Sequence, residues 1–263
     1  MVAYHRSIIA GAVLLVAGAT GAGADYYGGM KDAPVTVLPP SWYVRGDVGY
    51  GWLDAGELSG AITPFGSLSI DNTWSVGGGV GRYFGRGFRG DVTYEYRGKT
   101  DVHGDGVCGG GSAITGDFNM RSSLLMANVY YDFRPYERLT PYVGIGVGAA
   151  NHKTSSGTYT TTGCGAATIN YSGDSEWTAA GALMAGFSFR IDRGAPAPVS
   201  IKDGPVYSEP GRLYLDVGYR FLYLGDAHTG TITNPLPVAV TPGPRLEDMT
   251  AQEIRIGLRW DIR

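Results

Sequence analysis

TPYVGIGVGAANH, residues 140–152, is the stretch whose reading decides the fold. Pro141, Val143, Ile145, Val147 and Ala149 alternate there with Tyr142, Gly144, Gly146, Gly148 and Ala150. Successive strand side chains point to opposite faces, so a strict period of two gives one aliphatic face and one nearly bare face. The preceding segment, SSLLMANVYYDF at 122–133, carries Leu125, Ala127, Val129, Tyr131 and Phe133 in one row. Asn128, Tyr130 and Asp132 lie opposite, with Leu124 and Met126 blurring that face. Pro135, Glu137 and Arg138 mark a short turn, so the two segments read as a hairpin. A glycine row fills a soluble core poorly. It is expected where bulky charged side chains from other strands need room.

The same period continues on both sides of the hairpin. In a first strand, 42–52, Trp42, Val44, Val48, Tyr50 and Trp52 share one face, and Arg45 and Asp47 the other. A second strand, 72–84, sets Trp74, Val76 and Val80 against Gly77, Gly79 and Gly81. A third sets Phe88, Val92, Tyr94 and Tyr96 against Arg89, Asp91, Thr93, Glu95 and Arg97. The hairpin supplies the fourth and fifth. The sixth, 177–189, carries Trp177, Ala179, Leu183, Ala185, Phe187 and Phe189 on one face. The seventh, 212–224, opposes Leu213, Leu215, Val217, Tyr219, Phe221 and Tyr223 to Asp216 and Arg220. The eighth opposes Ile254, Ile256, Leu258, Trp260 and Ile262 to Glu253, Arg255, Arg259 and Asp261. Long connections at 53–71, 98–117, 153–176 and 225–250 alternate with turns at 85–87 and 134–138 and a long proline-rich return at 190–211. This asymmetry predicts an all-β fold, an eight-stranded antiparallel up-and-down transmembrane β-barrel with four long outer loops on one rim. Its last strand closes on its first and leaves no edge.

Alternation alone leaves open which face is inside, and a soluble lipocalin-like barrel would turn the apolar rows inward. Three features favour the membrane. Trp42, Trp52, Trp74, Tyr96, Trp177, Tyr223 and Trp260 cluster near strand ends on the apolar face, as an interfacial aromatic girdle requires. The four lysines, Lys31, Lys99, Lys153 and Lys202, fall outside the expected strands. The many large aromatics would crowd a ligand-holding interior. Arg45, Asp47, Arg89, Asp91, Glu95, Arg97, Asp216, Arg220, Glu253, Arg255, Arg259 and Asp261 are then expected to point into the lumen. An eight-stranded lumen is just wide enough for side chains, so these charges read as a self-neutralising network that plugs it. A narrow ion-conducting pore is the alternative.

His5 and Arg6, the apolar run 8–19 and the small residues Ala22, Gly23 and Ala24 have the layout of a secretory signal peptide over 1–24. A flexible segment, 25–40, then leads into the barrel, 41–263. A net charge of −3 argues against nucleic acid as a partner, which calls for a basic face. Two cysteines in an exported chain have one intramolecular pairing available, so Cys108 and Cys164 are expected to form a disulfide between neighbouring outer loops.

The runs 128–133 (NVYYDF), 140–150, 215–226 (LDVGYRFLYLGD) and 253–262 (EIRIGLRWDI) resemble the small OmpA-type outer-membrane barrels, most of all the surface-antigen branch of Gram-negative bacteria. The resemblance spans essentially the whole mature chain. It implies a bacterial outer-membrane location, contact with outer-membrane lipid, insertion by the outer-membrane assembly machinery, and long loops offered to an extracellular or host partner. No motif is a catalytic signature, so neither an enzyme nor a cofactor is expected, and a structural and surface-interaction role leads. Haem or metal capture by His103, His152 and His228, in or beside the outer loops, is a further alternative. So is a lipid hydrolase or acyltransferase using His152, Ser155 or Ser156, and Glu176.

Overall fold

The computed structural model describes residues 42–54, 57–59, 65–108, 112–133, 138–161, 167–191, 212–233, 241–242 and 245–262. The expected signal peptide, the segment 25–40, Lys31, Lys202 and nearly all of the return 190–211 lie outside the described residues. Eight long strands make a wall: β1 Trp42–Asp54, β2 Thr73–Gly85, β3 Phe88–Cys108, β4 Ser112–Asp132, β5 Leu139–Thr154, β6 Ser175–Arg190, β7 Leu213–His228 and β8 Arg245–Ile262. Each pairs antiparallel with the next in chain order. β8 then pairs with β1 along the whole of β1, from Trp42↔Ile262 to Asp54↔Thr250, and the sheet closes. Closure is what allows strands to cross a lipid core, because it leaves no open edge of unpaired backbone N–H and C=O groups facing lipid.

The faces alternate along this wall. Val147 is 68% exposed on the outside, while Arg89, one of the longest inward side chains, is 0% exposed. At one rim β2 turns into β3 through Gly85, Arg86 and Gly87, all with positive φ (83°, 53° and 85°). Two glycines supply this left-handed run without a Cβ penalty. Both ends of the described barrel, Trp42 and Ile262, lie at this same rim, which is the periplasmic one by its two short connections, Gly85 to Phe88 and Asp132 to Leu139.

The opposite rim departs from the four loops expected there. β3 and β4 stay paired to Cys108↔Ser112, well beyond Arg97, with one bulge between Arg97 and Thr100. Short strands Glu57–Ser59, Phe65–Ile70, Gly157–Thr161, Ala167–Tyr171, Thr231–Thr233 and Thr241–Pro242 extend the sheet further. The ladder needs only backbone donors and acceptors. Above the bilayer neither face must be apolar, so pairing continues where the hydrophobic alternation has ended. Lys99 and Lys153 accordingly stand inside β3 and β5 rather than outside strands.

The inward glycines hold a second departure. Gly144, Gly146 and Gly148 do face the lumen, but charged groups from across the barrel do not fill the room. A Cβ at Gly144 would meet the Tyr130 ring, one at Gly146 the Asn128 side-chain oxygen, and one at Gly148 the Leu125 carbonyl and the Met126 backbone and sulfur. The adjacent strand β4 leans its own side chains over the bare row of β5.

Candidate functional site

The lumen fills in layers, set by the register of the wall. Nearest the periplasmic rim, Arg89 Nε donates to both Asp132 oxygens at 3.1 Å. Arg259 donates to Asp216 at 3.1 and 3.3 Å and to Ser188 at 3.0 Å. Arg259 also reaches the Tyr83 hydroxyl, which donates in turn to Asp261 at 2.7 Å. Both terminal nitrogens of Arg89 lack hydrogen-bond partners. Its guanidinium instead lies over the rings of Tyr130 at 4.1 Å and Tyr142 at 5.1 Å, where the π faces attract the cation.

In the middle layer Arg45 binds Asp47 through two nitrogens at 2.6 and 2.8 Å and Asp91 at 3.0 Å. Asp91 also accepts from Tyr43 at 3.0 Å and from Asn128 at 2.8 Å. In the next layer outward Glu95 takes Arg220 and Arg255, each at 2.6 Å, with Arg97 at 3.7 Å. Glu253 takes Arg97 and Arg220. Arg255 Nη2 lies 3.8 Å from Asp47 and links the two layers.

All twelve charged residues expected in the lumen thus point inward and meet partners there. Sequence reasoning left Asp132 out of that set, although it had placed Asp132 on the inner face beside Asn128. It also left out the ring of inward tyrosines, Tyr43, Tyr83, Tyr130, Tyr142 and Tyr214. Towards the outer rim the filling changes character. Phe118, Met120, Leu124, Met126, Leu222, Leu224, Leu246 and Met249 form a buried apolar cap, with Ala150, Ala180, Ala182 and Ala251 between them. Leu124 and Met126, which blurred the inner face in the sequence, belong to this cap. Cavities of about 20 Å³ remain, one among Arg45, Asn128, Tyr142 and Arg255 and one among Tyr83, Asp132 and Arg259. Each has room for about one water.

On the outside, Trp42 and Trp260 stand near the periplasmic rim, and Trp52, Trp74 and Trp177 near the outer one, all exposed. Tyr96 and Tyr223 share that face and are half-buried, and the Tyr96 ring packs tilted against Trp74, 5.9 Å between centroids. Phe84, Phe88, Phe133 and Phe189 add to the periplasmic band. Their position at the mouths of the inner turns was the signal that could have found them.

The three histidines do not converge. His103 Nδ1 meets Asp117 Oδ1 at 2.5 Å on the exposed outer hairpin, and this hydrogen bond raises its pKa above the ordinary 6.5. His152 is buried between Ser122 Oγ, 2.7 Å from Nδ1, and the Leu224 carbonyl, 3.0 Å from Nε2. His228 lies 3.5 Å from Glu176. The serine beside His152 is therefore Ser122, not Ser155 or Ser156. Ser155 Oγ accepts from the Asn119 backbone at 3.1 Å, and Glu176 serves a different histidine. The grouping that the hydrolase alternative called for is not assembled. Cys164 lies outside the described residues, as does the side chain of Cys108 at the tip of β3.

A closed eight-stranded wall, apolar towards its surroundings, banded by aromatics and filled with ion pairs, defines a small transmembrane β-barrel of the bacterial outer membrane. The chain belongs to the family described as the outer membrane protein beta-barrel domain, whose model matches residues 10–260. It is 28% identical over 261 residues to an uncharacterized protein of Brucella abortus (strain 2308), with 84% of this chain and 85% of the relative covered. Among solved structures it is similar to the outer membrane protein OprG from Pseudomonas aeruginosa, with a TM-score of 0.45 at 15% identity over 85% of this chain and 97% of that one. Neisserial surface protein A is similar with a TM-score of 0.42 at 15% identity, covering 84% and 97%.

Proposed function

We propose that this protein is a sealed structural barrel that carries an interaction surface above the outer membrane. The observation that carries the reading is the filling of the lumen. Among the described residues, ion pairs, tyrosines and the apolar cap occupy it in successive layers, and two cavities between them, one in the middle layer and one near the periplasmic rim, are about 20 Å³ each. A hydrated ion needs a continuous polar path, and the cap of Leu124, Met126, Leu222 and Leu224 interrupts one. The wall also continues outward as paired strands, which gives a partner outside the cell a fixed surface rather than a set of loose loops. Refolded protein in a planar lipid bilayer tests the reading. A silent bilayer, with insertion checked by protease protection of the barrel, is the expected result. A steady open level would replace this reading with the narrow pore. Haem capture is the weaker alternative, because each histidine has its own separate partner. A Soret band on adding haemin, lost in His103→Ala or His228→Ala, would revive it.

A further inference from the structure

Three cations stand side by side where the wall leaves the membrane. Arg121 on β4 is the register partner of Lys153 on β5. On the other flank of Arg121, the β3 bulge between Arg97 and Thr100 holds Lys99. All three side chains are exposed on the outer face, and Arg121 and Lys153 alternate with the buried Met120, Ser122, His152 and Thr154. The aromatic band of the outer rim borders this row: Trp74 packs against Gly98, and Trp177 pairs with Asn151, two residues below Lys153. Aromatic rings of this kind mark the headgroup level of a bilayer.

Like charges directly opposite one another on neighbouring strands destabilise a sheet. Lys99 has relief from Asp101 at 3.3 Å. Arg121 and Lys153 form no ion pair among the described residues. A row of three cations of which two have no ion-pair partner among the described residues, at the height of lipid headgroups, matches a multivalent anion supplied by the membrane.

We propose that Lys99, Arg121 and Lys153 bind the phosphorylated headgroup of an outer-leaflet glycolipid. The forked guanidinium of Arg121 suits two phosphate oxygens, and the flanking ammonium groups take the rest of the charge. Below the row, Ser123, opposite Tyr96 on β3, and Ala149, opposite Ala179 on β6, are small outward residues that leave a shallow strip on which an acyl chain can lie. The proposal needs the outer-membrane location alone and is independent of whether the lumen is sealed.

Native mass spectrometry of the full chain folded in detergent tests it, with bis-phosphorylated lipid A as the probe. Dephosphorylated lipid A is the control and inorganic phosphate the competitor. Arg121→Gln with Lys153→Gln is expected to weaken lipid A binding roughly 30-fold, from the loss of two headgroup-level cations. Wild type should hold the dephosphorylated lipid about as poorly as the variant holds lipid A, and excess inorganic phosphate should not displace the lipid. The exchange Arg121→Lys with Lys153→Arg, which keeps the charge, should retain binding. Heat-modifiable gel migration verifies folding, and if the double Gln variant does not fold, the wild-type preference for the phosphorylated lipid still decides. Equal binding by the double Gln variant, no preference for phosphate, or displacement by inorganic phosphate would each overturn the proposal, the last by showing a free-anion site.

Discussion

Glu253→Gln probes how far the ion layers hold the barrel together. Glu253 is 1% exposed and takes hydrogen bonds from Arg97 and Arg220. Arg220 would keep Glu95 at 2.6 Å. Arg97 would keep only Glu95, at 3.7 Å, and its Nη2 already has no hydrogen-bond partner. The substitution preserves shape and removes charge, so the loss falls on Arg97. Removing one member of a buried ion pair costs about 3–5 kcal/mol, because the other charge is left stranded. A glutamine oxygen still accepts one bond, which puts the expected loss near the lower figure, about 3 kcal/mol. Arg97→Met in the same chain removes the stranded cation, so the double variant should be more stable than the sum of the single losses by ~1–3 kcal/mol. Urea unfolding of protein refolded in lipid vesicles, followed by tryptophan fluorescence and by gel migration, measures all four species. Losses that add to within ~0.5 kcal/mol would refute the reasoning, since they would mean that Glu253 and Arg97 do not depend on each other.

The outward face predicts that Val147→Arg, near mid-membrane, costs ~2–4 kcal/mol in the same titration, falling towards zero at the rims. Gly146→Ala should also cost, by about 1 kcal/mol for each hydrogen bond strained, because its methyl group displaces the Asn128 amide from Asp91 and Thr93; Asn128→Ala in the same chain should relieve it. A disulfide between Cys108 and Cys164 should leave both residues unlabelled by iodoacetamide in unreduced protein, as read by mass spectrometry. Its reduction should raise protease sensitivity at 98–117 and 153–176 and leave the barrel folded, although the loop-closure model allows it ~4 kcal/mol.

A period of two carries a great deal of this fold. In Val143 to Ala149 it fixes which side chains face lipid, and with Gly85, Arg86 and Gly87 it places a turn and orders two strands. It does not carry height. Whether an inward residue meets an ion layer or the apolar cap depends on register, and register is set by irregularities such as the bulges at Arg97/Thr100 and Tyr223/Gly225, which leave no pattern in the sequence. Leu124 and Met126 therefore read as noise although they have a place. Asp132 was legible as an inner-face residue, but only the β3–β4 register, which pairs Arg89 with Tyr130, brings the next inward residue, Asp132, within reach of Arg89. The outer segments were misread as loops for a different reason. Gly, Thr and Ser there signal turns when no apolar face competes, yet the same residues pair as strands once a neighbouring hairpin supplies the ladder.

The identity of the closing strand bears on how such a barrel is put together. β8 carries Glu253, Arg255, Arg259 and Asp261, and these reach every ion layer: Arg259 to Asp216, Arg255 to Asp47 and Glu95, Glu253 to Arg97 and Arg220. Some of these partners lie far apart in the chain, 156 residues for Arg97 and Glu253 and 178 for Tyr83 and Asp261. A seven-stranded intermediate is therefore an open sheet whose half-pairs have nothing to meet. Arg97 and Arg220 share one carboxylate in it, Asp216 has lost its guanidinium, and two long edges are bare. Each strand added before the last raises that cost, and the last one removes most of it at once. The search for the closing register is thereby pushed towards a single cooperative step, in which a slipped β8 mismatches charges at several heights and is rejected.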